Sequence, residues 1–502
     1  MANVIDCQVD VHHTDDELTV RVNCDDACKN RPVSKVRPTD HHPGQGSAPR
    51  DRGHGKRTAY ISRDGDQVGA RRVHSSKQAQ AKSAGAQCAV TASQEGQLGQ
   101  RVNKKKTRHS KSRRDSNGMV KAFTALAEAA MDRKPVTGWT HNFYRYPARF
   151  SPSFAAAAIE SFSSPGELVL DPYMGGGTAV VEAMAAGRHV VGNDLNSLAA
   201  FVARVKVTRL QVHDKEVLHH WLTNAVPTFT FDRSSSELSA FIDLEKTKNL
   251  TLTRARFIKK AVAAALESIA ELPTLASRDF ARCVVLRVSQ WALDGRERHT
   301  PLTEFREKLA GTAREMLDAM TGFSEHAKRS GGHATILNGD AERLDQARPF
   351  REEEKRVSLV VTSPPYPGVH VLYHRWQVDG RRETPAPYWI AGCNDGQGAS
   401  FYNFGDRREA AADAYFQASL TTLNAIRRVV KDGGYVVQLV AFNRPEDQLP
   451  RYLGNMLVAG FAEVSIGTGG RIWRCVPHRK WHAALKGMTH SSNEVVLVHR
   501  AV

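Results

Sequence analysis

The chain has 502 residues, a formal net charge of +17, 41% hydrophobic and 25% charged side chains. No run of about 18 apolar residues occurs, which excludes a helical membrane span, and seven scattered cysteines, an odd number, exclude a disulfide framework. The N-terminus has early acids and no hydrophobic core, so no secretory signal is expected; the chain is expected to be cytoplasmic, with reduced thiols.

Residues 1–118 hold one aromatic, Tyr60, and no periodic apolar face. Such a stretch buries too little apolar surface to offset its ordering entropy and is expected to be a disordered basic tail, or the product of an upstream start codon. It carries 22 Lys/Arg against 13 Asp/Glu, about half of the net charge, and residues 101–114 hold eight basic side chains and no acid. A run of this kind concentrates a protein on a polyanion, or is simply a solvated tail. Cys24 and Cys28, with Cys7, His12 and His13 nearby, are too loosely spaced to be read as a zinc site.

Ordered structure is predicted from residue 119. A helical run covers Phe154 to Phe162. Glu167 to Asp171 is a short apolar strand that runs into Pro172-Tyr173-Met174-Gly175-Gly176-Gly177-Thr178. A helix with Val180, Val181, Ala183 and Met184 on its apolar positions follows and stops at Gly187. The next strand, Arg188 to Gly192, closes on Asn193-Asp194. Glycines allow close approach to a ligand and positive φ, and an acid at the second strand's tip can accept two ribose hydroxyls. The usual dinucleotide fingerprint fails here, because Val180 stands where glycine is required.

Residues 211–333 read as helical, with apolar residues near a helical period, Pro301 placed to open the last long helix and Gly331-Gly332 to end it. This segment is expected to be an insertion that holds or reads a substrate, or a packing lid.

The strand Val357 to Val361 then leads into Thr362-Ser363-Pro364-Pro365-Tyr366. Each proline fixes its own φ and pushes the preceding residue out of the helical region, making a rigid lip at a sheet edge. Ser363, the Pro364 carbonyl and the Tyr366 face match the needs of an exocyclic amino group on a planar base. Beyond it, His370, Tyr373, Arg375, Arg381 and Arg382 interleave basic and aromatic groups, a mixture suited to phosphates and unstacked bases; Trp376 and Trp389 suit a core equally well. Gly433 to Val440 and Glu494 to Val498 complete the expected strands.

The two loops together resemble the S-adenosylmethionine-dependent amino-methyltransferases of DNA. In that family the cofactor loop commonly reads Asp-Pro-Phe-x-Gly-x-Gly-Thr and the catalytic loop Asp/Asn/Ser-Pro-Pro-Tyr/Phe/Trp; Tyr173 is the only substitution. The resemblance covers roughly residues 139–210 and 334–502 and implies an α/β fold, a Rossmann-like class I methyltransferase sheet built from 119–210 and 334–502 around the helical insertion. It implies S-adenosylmethionine as cofactor, held by Tyr146, Pro147, Asp171, Tyr173, Gly175, Gly177, Thr178, Asp194 and Asp340. His141 to Pro152 would cover the methionine end, and Asp340 would meet the adenine edge. Catalysis would fall to Ser363, Pro364, Pro365 and Tyr366, acting on double-stranded DNA with the target base flipped out.

The Ser-Pro-Pro-Tyr form inclines toward cytosine N4 over adenine N6, although the cofactor loop precedes the acceptor loop by 186 residues, the reverse of many serine-bearing members. An RNA amino-methyltransferase is the nearest rival, since such enzymes also use a Pro-Pro-Tyr loop. A DNA-binding protein of the same fold without turnover is another, against which Asp171, the glycines and Ser363 argue. A cognate restriction endonuclease would be a further partner, of which this chain carries no motif.

Overall fold

The computed structural model describes residues 7–14, 17–24 and 102–502 except 133, 147–149, 231, 297, 352–356, 368–374, 379–381, 397–403, 405–411, 443, 465–470 and 477–491, with side chains from 117 onward other than those of 254, 475, 476, 492 and 493. The chain divides into two units, Met1–Cys7 with Cys24–Lys111, and Gln8–Asn23 with Ser112–Val502; the sheet and the candidate site lie in the second.

Strands β1 (Cys7–Thr14) and β2 (Glu17–Cys24) pair with each other, and helix α1 (Val102–Met131) crosses position 118. Of the first 118 residues, β1, β2 and the start of α1 are among those described. Lys and Arg are good helix formers, and Phe123, Leu126, Ala127 and Ala130 form an apolar stripe that the helix buries in the main core. The residues of the loose cysteine–histidine group lie outside those whose side chains are described.

Helix α2 (Pro152–Phe162) starts on Ser151, whose Oγ accepts from the Phe154 N–H at 3.3 Å, with proline in its first turn. The predicted strand, glycine turn, helix and strand follow as β3 (Leu168–Asp171), α3 (Thr178–Ala185) and β4 (His189–Asp194), then α4 (Ser197–Val207). The stretch read as helical contains α5 (Val212–His220), α6 (Thr253–Ala270), α7 (Leu275–Leu293) and α8 (Leu302–Ser330). As expected, Pro301 precedes α8, and Gly331 at φ 79° ends it.

The sheet resumes with β5 (His333–Asn338), α9 (Arg348–Arg351) and β6 (Val357–Thr362). The hairpin strands β7 (Trp376–Val378) and β8 (Arg382–Thr384) and helices α10 (Ala386–Ala391) and α11 (Ala412–Val429) come next. The last elements are β9 (Val430–Ala441), α12 (Pro445–Val458), β10 (Phe461–Glu463), β11 (Ile472–Val476) and β12 (Ser492–Ala501).

The central sheet has the order β10-β12-β9-β6-β3-β4-β5, with β11 also on β12. Strands β9, β6, β3, β4 and β5 are mutually parallel, and β12 runs antiparallel to both its neighbours. This is a Rossmann-like, mostly parallel α/β sheet. Alternate residues of its strands face two cores: Val169, Leu359 and Val437 one, Leu170, Val360 and Val436 the other. From β3 the chain winds outward through β4 to β5, and from β6 the other way through β9. The crevice beyond the carboxyl ends of β3 and β6 is thus the topological switch point, where open α/β sheets bind ligands. Both motif loops leave the sheet there. Among the described residues no helix is long and apolar enough to cross a membrane.

Candidate active site at the switch point

The glycine turn is shaped by contacts that leave no room for side chains. Gly175 (φ 48°) and Gly177 (φ 74°) adopt left-handed conformations. A Cβ on Gly176 would sit 2.8 Å from the Tyr146 Cβ, and one on Gly177 3.0 Å from the Ala203 Cβ. Tyr146 therefore lies against the turn. From the other side Lys206 of α4, fully buried, donates from Nζ to the Gly176 carbonyl at 2.6 Å. Thr178 opens α3, buried against the turn.

The segment carrying Tyr146 is held by the helical insertion. Gln290 of α7 accepts from the Arg145 N–H at 3.3 Å and donates to the Arg145 carbonyl at 3.0 Å. The Cys283 thiol meets the Phe143 carbonyl at 3.8 Å, and Trp376 Nε1 donates to the Tyr144 hydroxyl at 3.0 Å. The insertion thus positions one wall of the turn.

Two acids stand at the strand tips. Each Asp194 carboxylate oxygen accepts one backbone N–H at 2.8 Å, from Gly175 and from Asn196. A carboxylate oxygen can accept two hydrogen bonds, so the geometry suits a pair of hydroxyls. Desolvation raises the Asp194 carboxyl to about 6, against the pull of those two N–H groups. Asp171 is buried and lifted further, to about 7, first by desolvation and lastly by the charge of Asp194; the Thr362 hydroxyl and the Tyr173 N–H oppose the rise. Asp340 is exposed, beyond β5, and its Oδ1 accepts from the Glu342 N–H at 3.0 Å. The Tyr173 ring, predicted to touch cofactor, packs edge-on to Phe404 with centroids 5.7 Å apart.

The acceptor loop leaves β6 beside the glycine turn. Thr362 Oγ1 donates to Asp171 Oδ1 at 2.7 Å, fastening the two strand ends together. Ser363 Oγ donates to the Leu439 carbonyl of β9 and lies 2.9 Å from both that oxygen and the Tyr366 hydroxyl. Pro364 is buried, Ser363 and Tyr366 half-buried. Tyr415 of α11 donates to the Pro365 carbonyl at 2.7 Å, fixing the far side of the lip. Beneath, the Tyr366 hydroxyl is 3.4 Å from Glu494 Oε1, a carboxylate fully buried on β12, whose Oε2 is gripped by Arg474 at 2.6 Å.

The proposed substrate group is only partly visible. Arg375 is paired to Asp395 at 2.9 Å, and Arg382 is exposed on β8. His370, Tyr373, Arg381 and Pro147 lie outside the described residues. Trp376 and Trp389 are core residues, the latter donating to the Phe241 carbonyl at 2.8 Å. Sequence reading missed Lys206, Glu494, Arg474, Tyr415 and the role of Thr362. A lysine in the mostly apolar helix Ser197–Val207 was the one local signal among them.

The positive-φ glycines, the Tyr146 wall and the twin acceptor oxygens of Asp194 fit the amino-acid and ribose parts of S-adenosylmethionine. Residues 73–202, which include the glycine turn, match the family model described as DNA methylase. The chain is similar to the type II methyltransferase M.MjaII of Methanocaldococcus jannaschii, at 24% identity over 139 residues, 27% of this chain and 26% of that protein. It is also similar to the type II methyltransferase M.MvaI of Kocuria varians, at 35% over 75 residues, 14% of this chain and 16% of that protein. The matches thus span about a quarter or less of those two relatives. A crystal structure of TrmN from Thermus thermophilus aligns over 72% of this chain and 52% of its own at 14% identity, with a TM-score of 0.28, too loose a superposition to add to the topology. On the residues matched, the chain is similar to the N6/N4 amino-methyltransferases of DNA.

Proposed function

We propose that this protein transfers a methyl group from S-adenosylmethionine to an exocyclic amino group of a base in double-stranded DNA, cytosine N4 in preference to adenine N6. The observation that carries the reading is the Thr362–Asp171 hydrogen bond of 2.7 Å, which sets the acceptor lip and the glycine turn side by side at one switch point. S-adenosylmethionine, when bound, supplies a methyl group on a sulfonium centre. Asp171 and the Gly175 to Gly177 backbone surround its methionine portion with Tyr146 as a wall, Asp194 accepts the ribose hydroxyls, and Asp340 meets the adenine edge.

An exocyclic amino nitrogen is a poor nucleophile, because its lone pair is delocalised into the ring. Ser363 Oγ and the Pro364 carbonyl accept its two N–H bonds and favour a tetrahedral nitrogen. The lone pair is then localised toward the methyl donor, so that positioning and exclusion of water do most of the work. The base reaches the lip only when turned out of the duplex, and Tyr366 holds it by its face. Arg375 and Arg382, which follow the lip in sequence, suit the phosphates. The serine in the lip supports cytosine over adenine. Methylation-sensitive sequencing of DNA from cells expressing the protein tests the whole reading: N4-methylcytosine at a recurring motif supports it, and an unmodified genome sinks it.

A further inference from the structure

The buried carboxylate of Glu494 has no part in the scheme above, yet it is built into the acceptor loop. It sits at the start of β12, fully buried, with Oε2 held by both Arg474 Nε and a terminal nitrogen at 2.6 Å, while Oε1 faces the Tyr366 hydroxyl at 3.4 Å. Arg474 is itself pinned, donating to the Ala130 carbonyl at 2.9 Å. The Tyr366 hydroxyl is in turn 2.9 Å from Ser363 Oγ. Burying a carboxylate is costly even when it is paired, and this one reaches both the arginine and the tyrosine.

We infer that Ser363, Tyr366 and Glu494 form a proton relay that removes the proton released when the target amino group is methylated. The inference rests on the amino-methyltransferase reading of the same site. As the nitrogen's lone pair forms the new bond to carbon, the nitrogen becomes positively charged and holds one proton more than the product needs. That proton passes from nitrogen to Ser363 Oγ. The serine hydrogen, which rests on the Leu439 carbonyl at 2.9 Å, turns to the equally close Tyr366 oxygen, and the tyrosine hydrogen passes to Glu494 Oε1. Charge is balanced at the end: the methylated amine is neutral, both hydroxyls are restored, and Glu494 is a neutral acid beside Arg474. After the product base leaves, the same path returns the proton to water at the half-buried Ser363. The 3.4 Å step is long, as catalytic hydrogen bonds commonly are before substrate binds. Glu494 acts through two hydroxyls and is a positioning residue; of the three relay members, Ser363 alone touches the amine.

The test compares wild type, Glu494→Gln and Tyr366→Phe in single-turnover methyl transfer to duplex DNA, in water and in heavy water. Glutamine keeps an acceptor for the tyrosine but takes no proton, and phenylalanine keeps the stacking face but cuts the path. The expected result is a wild-type rate slowed by heavy water, with both variants about ten- to a hundredfold slower, insensitive to heavy water, and unchanged in KM for DNA and cofactor. Should Glu494→Gln not fold, because Arg474 is left buried and unpaired, Tyr366→Phe decides alone. Transfer by Tyr366→Phe at the wild-type rate overturns the relay, as does a slower rate with a raised KM and an unaltered heavy-water effect. No transfer by the wild type at all overturns the methyltransferase reading itself, and the relay with it.

Discussion

Thr362 and Asp171 are 191 positions apart, yet the threonine hydroxyl donates to the carboxylate at 2.7 Å, both groups buried. The bond ties the last residue of β6 to the last residue of β3, so the loops that begin at Ser363 and Pro172 start from one fixed point. Thr362→Val keeps the shape and deletes the donor to a buried carboxylate. It is expected to cost about 1–3 kcal/mol in urea unfolding and to slow methyl transfer, with Thr362→Ser restoring both. Unchanged unfolding would mean the bond is not formed.

Asp171 makes stability depend on pH in a stated direction. Its folded carboxyl is raised to about 7 from an ordinary 3.8, chiefly by desolvation. The folded state therefore holds the proton more tightly, and stability is lost as pH rises between about 4 and 7. Asp171→Asn removes that loss. Its melting temperature relative to wild type should climb across this window, by up to about 1.4 kcal/mol equivalent per pH unit, and level off above 7. Parallel melting curves from pH 4 to 8 would contradict the assignment.

Asp194 predicts a different profile, read in binding. With a carboxyl raised to about 6, it is protonated below that pH and accepts hydroxyls less well. Calorimetric affinity for S-adenosylmethionine should fall as pH drops through about 6 in the wild type. Asp194→Asn should bind weakly throughout and lose the pH dependence. A wild-type affinity flat from pH 5 to 8 would remove Asp194 from the cofactor site.

The glycine turn offers a matched pair of alanine substitutions. At Gly176 the new Cβ meets the Tyr146 Cβ at 2.8 Å, whereas at Gly454, inside α12, nothing lies within 4 Å. Gly176→Ala should destabilise by about 1–3 kcal/mol and weaken cofactor binding. Gly454→Ala should stabilise by about 0.5–1 kcal/mol through helix propensity, leaving binding intact. Chemical unfolding and calorimetry on both proteins check the pair.

The parts legible in the sequence were those written in consecutive residues. Strand, glycine turn, helix and strand from Leu168 to Asp194 follow from apolar runs broken by glycine, and the lip at Ser363 to Tyr366 from its prolines. Pro301 and Gly331 marked the last insertion helix for the same reason. What escaped depends on contacts between distant positions. Thr362 reads as the end of a strand until β6 is set beside β3, and Glu494 as the edge of an apolar run until β12 is laid against β9. Gln290 looks like a surface residue of α7, although its amide clamps the Arg145 backbone. Helix α1 runs through residue 118, and its anchoring stripe from Phe123 to Ala130 begins beyond the basic run. Tyr173 was placed on the cofactor by its position in the motif, while its ring lies with Phe404.

The most direct measurement incubates the purified protein with labelled S-adenosylmethionine and duplex DNA, digests the DNA to nucleosides and identifies the labelled one, with Ser363→Ala run in parallel. The expected result is label in N4-methylcytosine, cut about a hundredfold or more by Ser363→Ala while cofactor affinity holds. Label found only in methylated guanine, or transfer by Ser363→Ala as fast as by the wild type, would contradict an amino-methyltransferase site at the junction of Asp171 and Thr362.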